Sequence, residues 1–381
     1  MTAAITSRSV EFVFAFGLVV LLCGCGCGCG PRPAVPETLP AFLTDQEFWS
    51  LITEFSEPGG YFPSHNFLSN ESGYQNVIPA LLKTLKPGGV YMGVGPEQNF
   101  TYIVALRPKI AFIIDIRRQN MLEHLFYKAL METSADRAEF LSRLFARPNR
   151  VDPMTHSTTE ALFRGYGSSR PSASFFETNT THVMNYLRNE KGFKLSEQDR
   201  AGIRHVAEAF FKSGPDLTYT FIGGYGDFKR TPTYSELMSA GDGVGWNWNF
   251  LATEDQFRAI QHMQKRNLIV PLVGDFAGQK AIRSVAQYVR QHGSTIRTFY
   301  TSNVEQYLFQ DNEKWKHFYD NVLLLPTDST STFIRYVLNP WGFGRHQGTL
   351  ASPMNSIVQA YRFGGIQGYY DVVRGSLGST E

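Results

Sequence analysis

The chain has 381 residues, enough for one large or two ordinary domains, and its 43% apolar content allows a sizeable buried core. Its formal net charge is +2 and its basic residues are scattered, so composition gives no support for nucleic-acid binding. All four cysteines lie between residues 23 and 29. This excludes a disulfide framework, a cysteine-ligated zinc site and a cysteine nucleophile from the rest of the chain.

The first 24 residues have the pattern of an export signal. Arg8 precedes an apolar run from residue 12 to residue 22, which is too short to span a bilayer but suits the core of a signal peptide. The run ends in Leu22-Cys23-Gly24-Cys25, which resembles a bacterial lipobox. The resemblance implies lipidation of Cys25; the alternative is a mis-assigned start or a low-complexity extension.

We therefore expect a lipoprotein signal peptide over residues 1–24 and a linker, rich in proline, over residues 25–45. The protein would be lipid-anchored in the cell envelope and would touch the membrane only through this anchor. If the leader is not an export signal, the protein is cytoplasmic.

Beyond the linker, helical and strand patterns alternate, which indicates an α/β fold. In chain order, the first patterns predict a helix at 76–86, a strand at 90–92, a helix at 98–106 and a strand at 110–114. The next stretch is mainly helical, with helices at 121–133, 134–146, 181–191, 196–212 and 253–266 and one strand at 217–222. Alternation then returns, with strands at 268–273 and 295–300, helices at 279–291, 304–309 and from 315, and a closing pair of strands at 322–325 and 332–337.

We expect residues 46–340 to form one α/β domain, a three-layer Rossmann-like sheet with helices on both faces. A mainly helical insertion would occupy about 120–260. Residues 341–381 are rich in glycine and are expected to form a C-terminal tail with one helical piece near 355–363.

The most informative motif is a glycine-containing turn between a strand and a helix. Residues 88–100 read GGVYMGVGPEQNF, with Gly93 and Gly95 directly after the apolar strand, and glycines let a backbone turn sharply and approach a ligand. Asp115 ends the next strand, 20 positions after Gly95 (115 − 95), where a carboxylate can accept both ribose hydroxyls. The motif predicts binding of a nucleoside-containing small molecule; the alternative is an ordinary strand–turn–helix unit with a solvated aspartate.

Glu97 bears on which nucleoside is bound. It lies in the first turn of the predicted helix, where the positive end of the helix dipole favours an anion. A dinucleotide would place its pyrophosphate there and be repelled by a carboxylate. S-adenosylmethionine has no phosphate and carries a sulfonium cation, so Glu97 favours it over NAD.

Together these residues resemble the glycine-rich loop and ribose-binding acid of class I, Rossmann-type, S-adenosylmethionine-dependent methyltransferases. Gly93 and Gly95 match the loop and Asp115 matches the acid, which implies S-adenosylmethionine as cofactor. The chain departs from the family at Tyr91, where an acidic residue is usual, and at Glu97, which replaces the third glycine. The segments 67–71, 95–102 and 115–120 more closely resemble an uncharacterised bacterial family, which implies no reaction.

Further polar residues are expected at the ligand site because they lie next to the nucleotide unit or follow predicted strands, where open α/β sheets bind ligands. We expect Glu97, Asn99 and Asp275 to contact the cofactor, with Gly93, Gly95 and Asp115. A substrate pocket is expected from Asn70, Glu71, Asn120, Asn303 and Glu305. For each of these the alternative is a helix cap or a solvated loop residue.

Several catalytic signatures are absent from the sequence. No H-E-x-x-H or paired histidine spacing occurs, so no metal site is expected, and neither G-x-S-x-G nor a P-loop motif is present. No residue stands out as catalytic. The sequence therefore indicates a methyltransferase-like protein that binds S-adenosylmethionine or a related nucleoside after the first strand. The alternative is an envelope lipoprotein that binds a small ligand without catalysis.

Overall fold

The computed structural model describes residues 36–148, 158–220, 231–337 and 348–377. The predicted signal peptide, Cys25 and the first part of the linker lie outside these ranges. Within them, no helix has both the length and the apolar character needed to cross a membrane.

The fold is α/β, and in the described residues six strands form one sheet that is parallel except at one edge. The strands are β1 (Val90–Gly93), β2 (Ile110–Asp115), β3 (Ile269–Val273), β4 (Ile296–Ser302), β5 (Thr332–Val337) and β6 (Gly348–Pro353). Their order across the sheet is β3-β2-β1-β4-β5-β6. β6 pairs antiparallel with β5, and the other pairs are parallel.

Helices connect the strands and flank them in the sequence. Before β2 lie α1 (Asp45–Phe55), α2 (Ile78–Thr84) and α3 (Gln98–Leu106). The long connection from β2 to β3 is helical, as predicted, with α4 (Arg118–Thr133), α5 (Arg137–Leu144), α6 (Thr159–Ser168), α7 (Ala173–Asn185), α8 (Glu197–Ser213), α9 (Tyr234–Ser239) and α10 (Glu254–Lys265). The later helices are α11 (Ala281–Gln291), α12 (Val304–Leu308), α13 (Lys314–Leu323), α14 (Met354–Arg362) and α15 (Tyr369–Leu377).

Local sequence explains where the central elements begin and end. Every residue of β1, β2 and β3 is buried, which is why these strands read as continuous apolar runs rather than alternating patterns. α3 ends at Arg107, whose φ of 50° breaks the helical path just before Pro108. Ser196 caps α8 and forms a reciprocal capping box with Asp199.

Aromatic side chains pack helices against the sheet and against one another. Phe112 of β2 contacts Phe55 of α1 and Tyr288 of α11, with ring centroids 6.4 and 5.6 Å apart. Phe100 of α3 meets Tyr127 of α4 edge to face, with centroids 5.5 Å apart. Burial of each such ring stabilises the fold by about 1.5–3 kcal/mol, so the loops after β1 and β2 start from firmly packed elements.

The expected closing strand at residues 322–325 is wrong. Val322 extends the buried helical stripe formed by Trp315, Phe318 and Tyr319, so α13 continues to Leu323. The sheet is closed instead by β5, which pairs in parallel with β4 and antiparallel with β6.

The start of one helix and one expected strand in the middle of the chain also differ from expectation. The helix expected from residue 134 begins later, at Arg137, with Asp136 as its N-cap, because the Asp136 carboxylate accepts a hydrogen bond from the backbone N–H of Glu139. In the segment 217–222, the described residues form only an isolated bridge between Thr218 and Thr233 instead of a strand.

The C-terminal segment, expected to be a tail, contributes β6, α14 and α15 to the fold. Arg335 of β5 is fully buried and donates hydrogen bonds to Ser352 of β6 and Ser376 of α15. These bonds tie the C-terminal elements to the sheet, a connection that the glycine content of the segment does not reveal.

Candidate functional site

A cleft with a volume of about 220 Å³ opens at the carboxyl ends of the parallel strands. Its walls come from residues that follow β1, β2, β3 and β4 and from the segment between Tyr61 and Glu71. β1 lies between β2 and β4, so the strand order reverses at this point. Ligands of open α/β sheets bind in the crevice at such a reversal.

The fold brings six of the predicted site residues together in this cleft. They are Asn70, Glu71, Gly95, Asp115, Asp275 and Asn303. The other predicted site residues are buried in the protein and are not among the described residues of the cleft wall. They are Gly93, Glu97, Asn99, Asn120 and Glu305.

Asn99 holds the loop between β1 and α3 in shape. Its Nδ2 donates to the carbonyl oxygens of Val94, Gly95 and Pro96 at 2.9, 3.0 and 2.8 Å. A Cβ atom on Gly93 would collide with Asn99 Oδ1, so glycine is required there to admit the asparagine. Gly95 has a φ of 81°, which favours glycine, and it is the residue of this pair that reaches the cleft.

Arg117 occupies most of the hydrogen-bonding capacity of Asp115. Its backbone N–H and Nε donate to Asp115 Oδ1 at 2.8 and 3.1 Å, and its Nη2 donates to Oδ2 at 2.8 Å. A carboxylate has about four acceptor positions, so about one position remains, on Oδ2. Asp115 can therefore accept one further hydroxyl instead of the two that the sequence suggests.

Glu97 does not face the cleft. It is fully buried, and its Oε1 accepts the backbone N–H of Ser69 at 3.3 Å. Burial raises the pKa of Glu97 to about 8, and nearby Glu71 adds to the rise. The carboxyl is therefore uncharged at neutral pH. The prediction that Glu97 presents a negative charge to the ligand is wrong, because the segment around Ser69 packs over it.

Two polar residues of α4 also lie in the interior. His124 Nε2 is 2.9 Å from the carbonyl oxygen of Gly95. Burial lowers the pKa of His124 to about 4, so the ring is neutral and its Nε2–H donates to this carbonyl. Asn120, one turn earlier, is fully buried. It lies with His124 within the protein rather than in the predicted substrate pocket.

Glu305 forms a buried ion pair instead of lining the predicted substrate pocket. Arg335 Nε donates to Glu305 Oε2 at 2.5 Å, and the Tyr319 hydroxyl donates to Oε1 at 2.5 Å. The Glu305 and Arg335 side chains are 1% and 0% exposed, so each charge depends on the other for compensation. Glu305 follows β4 closely in the sequence, which suggested a ligand contact. Glu305 lies in α12, however, and its side chain points towards Arg335 of β5.

Two hydroxyl groups of β4 hold the carboxyl group of Glu71. Tyr300 donates to Oε2 at 2.7 Å and Ser302 donates to Oε1. Gln98 Nε2 in turn donates to the Tyr300 hydroxyl at 3.1 Å. Burial raises the pKa of Glu71 to about 7, although both hydroxyl groups oppose the rise. No local pattern connects Tyr300 with Glu71, because 229 positions of the chain separate them.

Aromatic side chains form a second part of the wall. They are Tyr61, Phe62, Tyr219, Phe276 and Tyr307. Phe62 and Tyr307 meet edge to face, with ring centroids 5.1 Å apart and an interplanar angle of 87°. Such surfaces suit planar, partly apolar ligands. No local sequence pattern marks these residues, which come from four separate segments.

Comparison with protein-family models gives one match, to a domain of unknown function, DUF7790, over residues 66–204 and 234–364. These ranges cover more than half of the chain. The chain belongs to the DUF7790 family. No curated protein matches it.

The DUF7790 ranges contain the polar part of the cleft, from Asn66 to Asn303. Three aromatic residues of the wall, Tyr61, Phe62 and Tyr219, lie outside them. The match thus covers the β1–α3 loop, the carboxyl groups and the hydroxyl groups that hold Glu71.

The carboxyl groups in and behind the cleft do not form a metal centre. Across the described ranges, no group of three or more His, Cys, Asp or Glu residues could hold a metal ion. Asp115 is paired with Arg117, and Glu71 is held by hydroxyl groups. Both carboxyl groups are therefore already engaged by other side chains of the protein.

Proposed function

We propose that the cleft binds a nucleoside-containing small molecule, with S-adenosylmethionine as its ligand, and that the protein is methyltransferase-like. One observation carries the proposal: Gly95 and Asp115 line a cavity at the point where the strand order reverses. In sheets of this kind, the loop after the first strand and the acid after the second approach the nucleoside.

The arrangement of helices supports a Rossmann-like architecture. The strand order is that of a doubly wound sheet. The helices form two sets of neighbours: α4 contacts α8 and α10, whereas α11 contacts α1 and α13. Both α1 and α4 also contact β3. We infer a three-layer fold with one set of helices on each face and the α4–α10 segment as an insertion.

The charge of the cleft favours a cationic ligand over a pyrophosphate. Glu71, Asp115 and Asp275 line it together with two cationic side chains, Arg117 and Lys314. Because Arg117 is committed to Asp115, two carboxyl groups remain against one lysine. S-adenosylmethionine brings a sulfonium cation, whereas NAD brings two phosphates.

Calorimetric titration of the full chain with S-adenosylmethionine, S-adenosylhomocysteine, adenosine and NAD tests the proposal. We expect the first two to bind, adenosine to compete with them, and NAD to bind at least about tenfold more weakly, a difference of about 1.4 kcal/mol. Asp275→Asn, which removes a charge from the wall, should weaken binding of S-adenosylmethionine. Asp255→Asn, on the exposed side of α10, serves as the matched control.

Two results would overturn the proposal. The first is a folded protein that binds none of the adenosine compounds. The second is NAD binding tighter than S-adenosylmethionine, which would contradict the charge argument.

A further inference from the structure

We infer that Glu71 is the proton-accepting residue of the cleft, and that its substrate is a neutral molecule with a hydroxyl or amine group. The inference rests on the proposed function and deepens it, since it concerns the second ligand of the same site. The Glu71 carboxyl group meets Tyr300 and Ser302 only because the fold brings β4 next to the segment that contains Glu71.

The geometry fixes the Glu71 carboxyl in the wall of the cavity. Both of its oxygens accept hydroxyl groups of β4, from Tyr300 at 2.7 Å and from Ser302. The Glu71 side chain is buried from bulk solvent, yet it belongs to the cavity wall. A ligand in the cavity therefore meets a carboxyl group that is already oriented, and orientation of this kind contributes to catalysis.

Backbone strain occurs at one of the two residues that hold Glu71. Ser302 has a φ of 52°, in the left-handed region that non-glycine residues seldom adopt. Strained residues of this kind cluster at functional sites, where surrounding structure compensates for their cost. Here the strain accompanies the placement of the Ser302 hydroxyl at Glu71 Oε1.

The surroundings of Glu71 adjust its proton affinity. Tyrosines lie near it on several elements, and the charge of Glu71 raises the pKa of each: Tyr91 of β1, Tyr102 of α3, Tyr300 of β4 and Tyr369 of α15. Glu97 adds a carboxyl group from the β1–α3 loop. With burial as the main cause, the pKa of Glu71 rises to about 7. A base is most effective when its pKa lies near the working pH.

The other carboxyl groups of the wall are less suited to this role. Asp115 is held by Arg117 through three hydrogen bonds. Asp275 Oδ1 accepts the backbone N–H of Ala277 at 2.9 Å, as in a turn. Among the described residues, no side-chain hydroxyl group donates to either of them, in contrast to Glu71.

The same charges restrict the substrate. Once Asp115 is neutralised by Arg117, Glu71 and Asp275 remain in the wall against Lys314, so the wall favours a neutral second ligand over a phosphate. The aromatic wall, with Phe62 against Tyr307, offers an apolar surface for a neutral molecule. A hydroxyl or amine group on such a molecule can donate its proton to Glu71.

The proton transfer balances within a methyl transfer. S-adenosylmethionine supplies the methyl group, and its sulfur keeps the electron pair of the broken carbon–sulfur bond. The substrate oxygen or nitrogen forms the new bond to the methyl carbon, and its proton passes to a Glu71 oxygen. Glu71 then releases this proton to solvent when the products leave the cleft.

The experiment compares the pH dependence of ligand binding in the wild-type chain and in Glu71→Gln. Glutamine keeps the shape and can still hydrogen-bond both hydroxyl groups, but it cannot ionise. The substrate atom that passes its proton to Glu71 also attacks the methyl carbon, so Glu71 lies near the sulfonium. The affinity ratio of S-adenosylmethionine to S-adenosylhomocysteine should therefore rise about tenfold from pH 6 to pH 8 in the wild type. S-adenosylhomocysteine has the same amino-acid part without the sulfonium. Titration of the two ligands in solution is the same for both proteins, so the difference between the wild type and Glu71→Gln isolates Glu71.

In Glu71→Gln the ratio should change by less than about twofold over the same range. Glu160→Gln, an exposed residue of α6, is the matched control and should behave as the wild type. A second readout needs no ligand: carboxyl infrared bands should include one that titrates near pH 7 and is absent from Glu71→Gln.

The outcomes separate the inference from the proposed function. If both ligands bind and the ratio is the same in wild type and Glu71→Gln, the inference is overturned and the proposed function stands. If neither ligand binds, the proposed function is overturned, and the infrared titration decides the inference. A Glu71 band that titrates near the ordinary pKa of glutamate would overturn it.

Discussion

Asp115 and Arg117 form a buried ion pair, in which each charge compensates the other. Their side chains are 5% and 7% exposed and share two direct hydrogen bonds, in addition to the bond from the Arg117 backbone. Removal of one partner of a buried pair leaves an uncompensated charge in the interior. A substitution of Asp115 therefore affects the stability of the fold.

We expect Asp115→Ala to lower the free energy of unfolding by about 3–5 kcal/mol, because it leaves the Arg117 guanidinium buried and unpaired. Urea denaturation followed by circular dichroism measures this loss. The double variant Asp115→Asn with Arg117→Gln removes both charges and should recover much of it. A loss from Asp115→Ala no larger than that from exposed Asp255→Ala would contradict the buried pairing.

A pH-dependent effect is expected at Glu97. Its pKa rises from the ordinary 4.5 to about 8 in the folded state, so between these values the folded state holds one proton more than the unfolded state. Its contribution to the free energy of unfolding is therefore fully present at low pH. This contribution falls by about 1.4 kcal/mol per pH unit between the two pKa values and is lost once the pH has risen through about 8. Burial shifts the pKa of Glu71 and Glu123 in the same direction.

Glu97→Gln should weaken this decline. The free energy of unfolding of the wild type should fall between pH 6 and pH 8, and that of the variant should fall less, so the variant is relatively more stable at pH 8. Urea denaturation at both pH values measures the two slopes. Equal slopes would show that Glu97 is ionised in the folded protein.

At the scale of elements, the β1–α3 loop depends on one asparagine and on one glycine that admits it. Asn99 bonds three successive carbonyl oxygens, and a Cβ atom at Gly93 would collide with its Oδ1 and with the ring of Tyr91. The glycine-rich sequence correctly predicts the turn. Gly93, however, serves the internal structure of the loop, and only Gly95 reaches the cleft.

We expect Gly93→Ala to destabilise the protein by about 1–3 kcal/mol, because the extra methyl group overpacks the loop. Gly167→Ala, where a Cβ atom meets nothing within 4 Å, is the control and should be neutral or stabilising by up to about 1 kcal/mol. Thermal unfolding of both variants gives the comparison. Equal stability of the two variants would remove the role assigned to Gly93.

At the scale of the whole molecule, the C-terminal elements complete the sheet. β6 pairs along β5, which would otherwise present an unpaired edge. The buried pair of Arg335 and Glu305 lies where β5 meets α12, close in sequence to Ser302 and Asn303 of the cleft. The far edge of the sheet thus helps to position one side of the site.

The location of the whole protein depends on the leader, for which the prediction is lipidation of Cys25. Several acyl chains together anchor a protein stably, so the full chain should fractionate with membranes and incorporate labelled fatty acid. Cys25→Ser should abolish both, whereas Cys27→Ser should not, because Gly24 stands three residues before it. An unlipidated product with residues 1–24 intact would contradict the lipoprotein prediction and place the protein with cytoplasmic S-adenosylmethionine.

The sequence by itself determined the order of the central elements and the position of the glycine-containing turn. β1, α3, β2 and β3 follow from runs and periods of a few residues, and Gly95 and Asp115 follow from their spacing within one strand–helix–strand unit. These features are local, so no distant part of the chain is needed to recognise them.

Only the tertiary structure decided the ionisation and pairing of the site residues. Tyr300 and Ser302 meet Glu71 across 229 and 231 positions of the chain, and no local pattern reports such a contact. Glu97 has the sequence position of a charged residue at a helix start, but burial makes its carboxyl neutral. The proton affinity of a carboxyl group is set by the water, charges and hydrogen-bond donors around it, and these are assembled only when distant segments pack together.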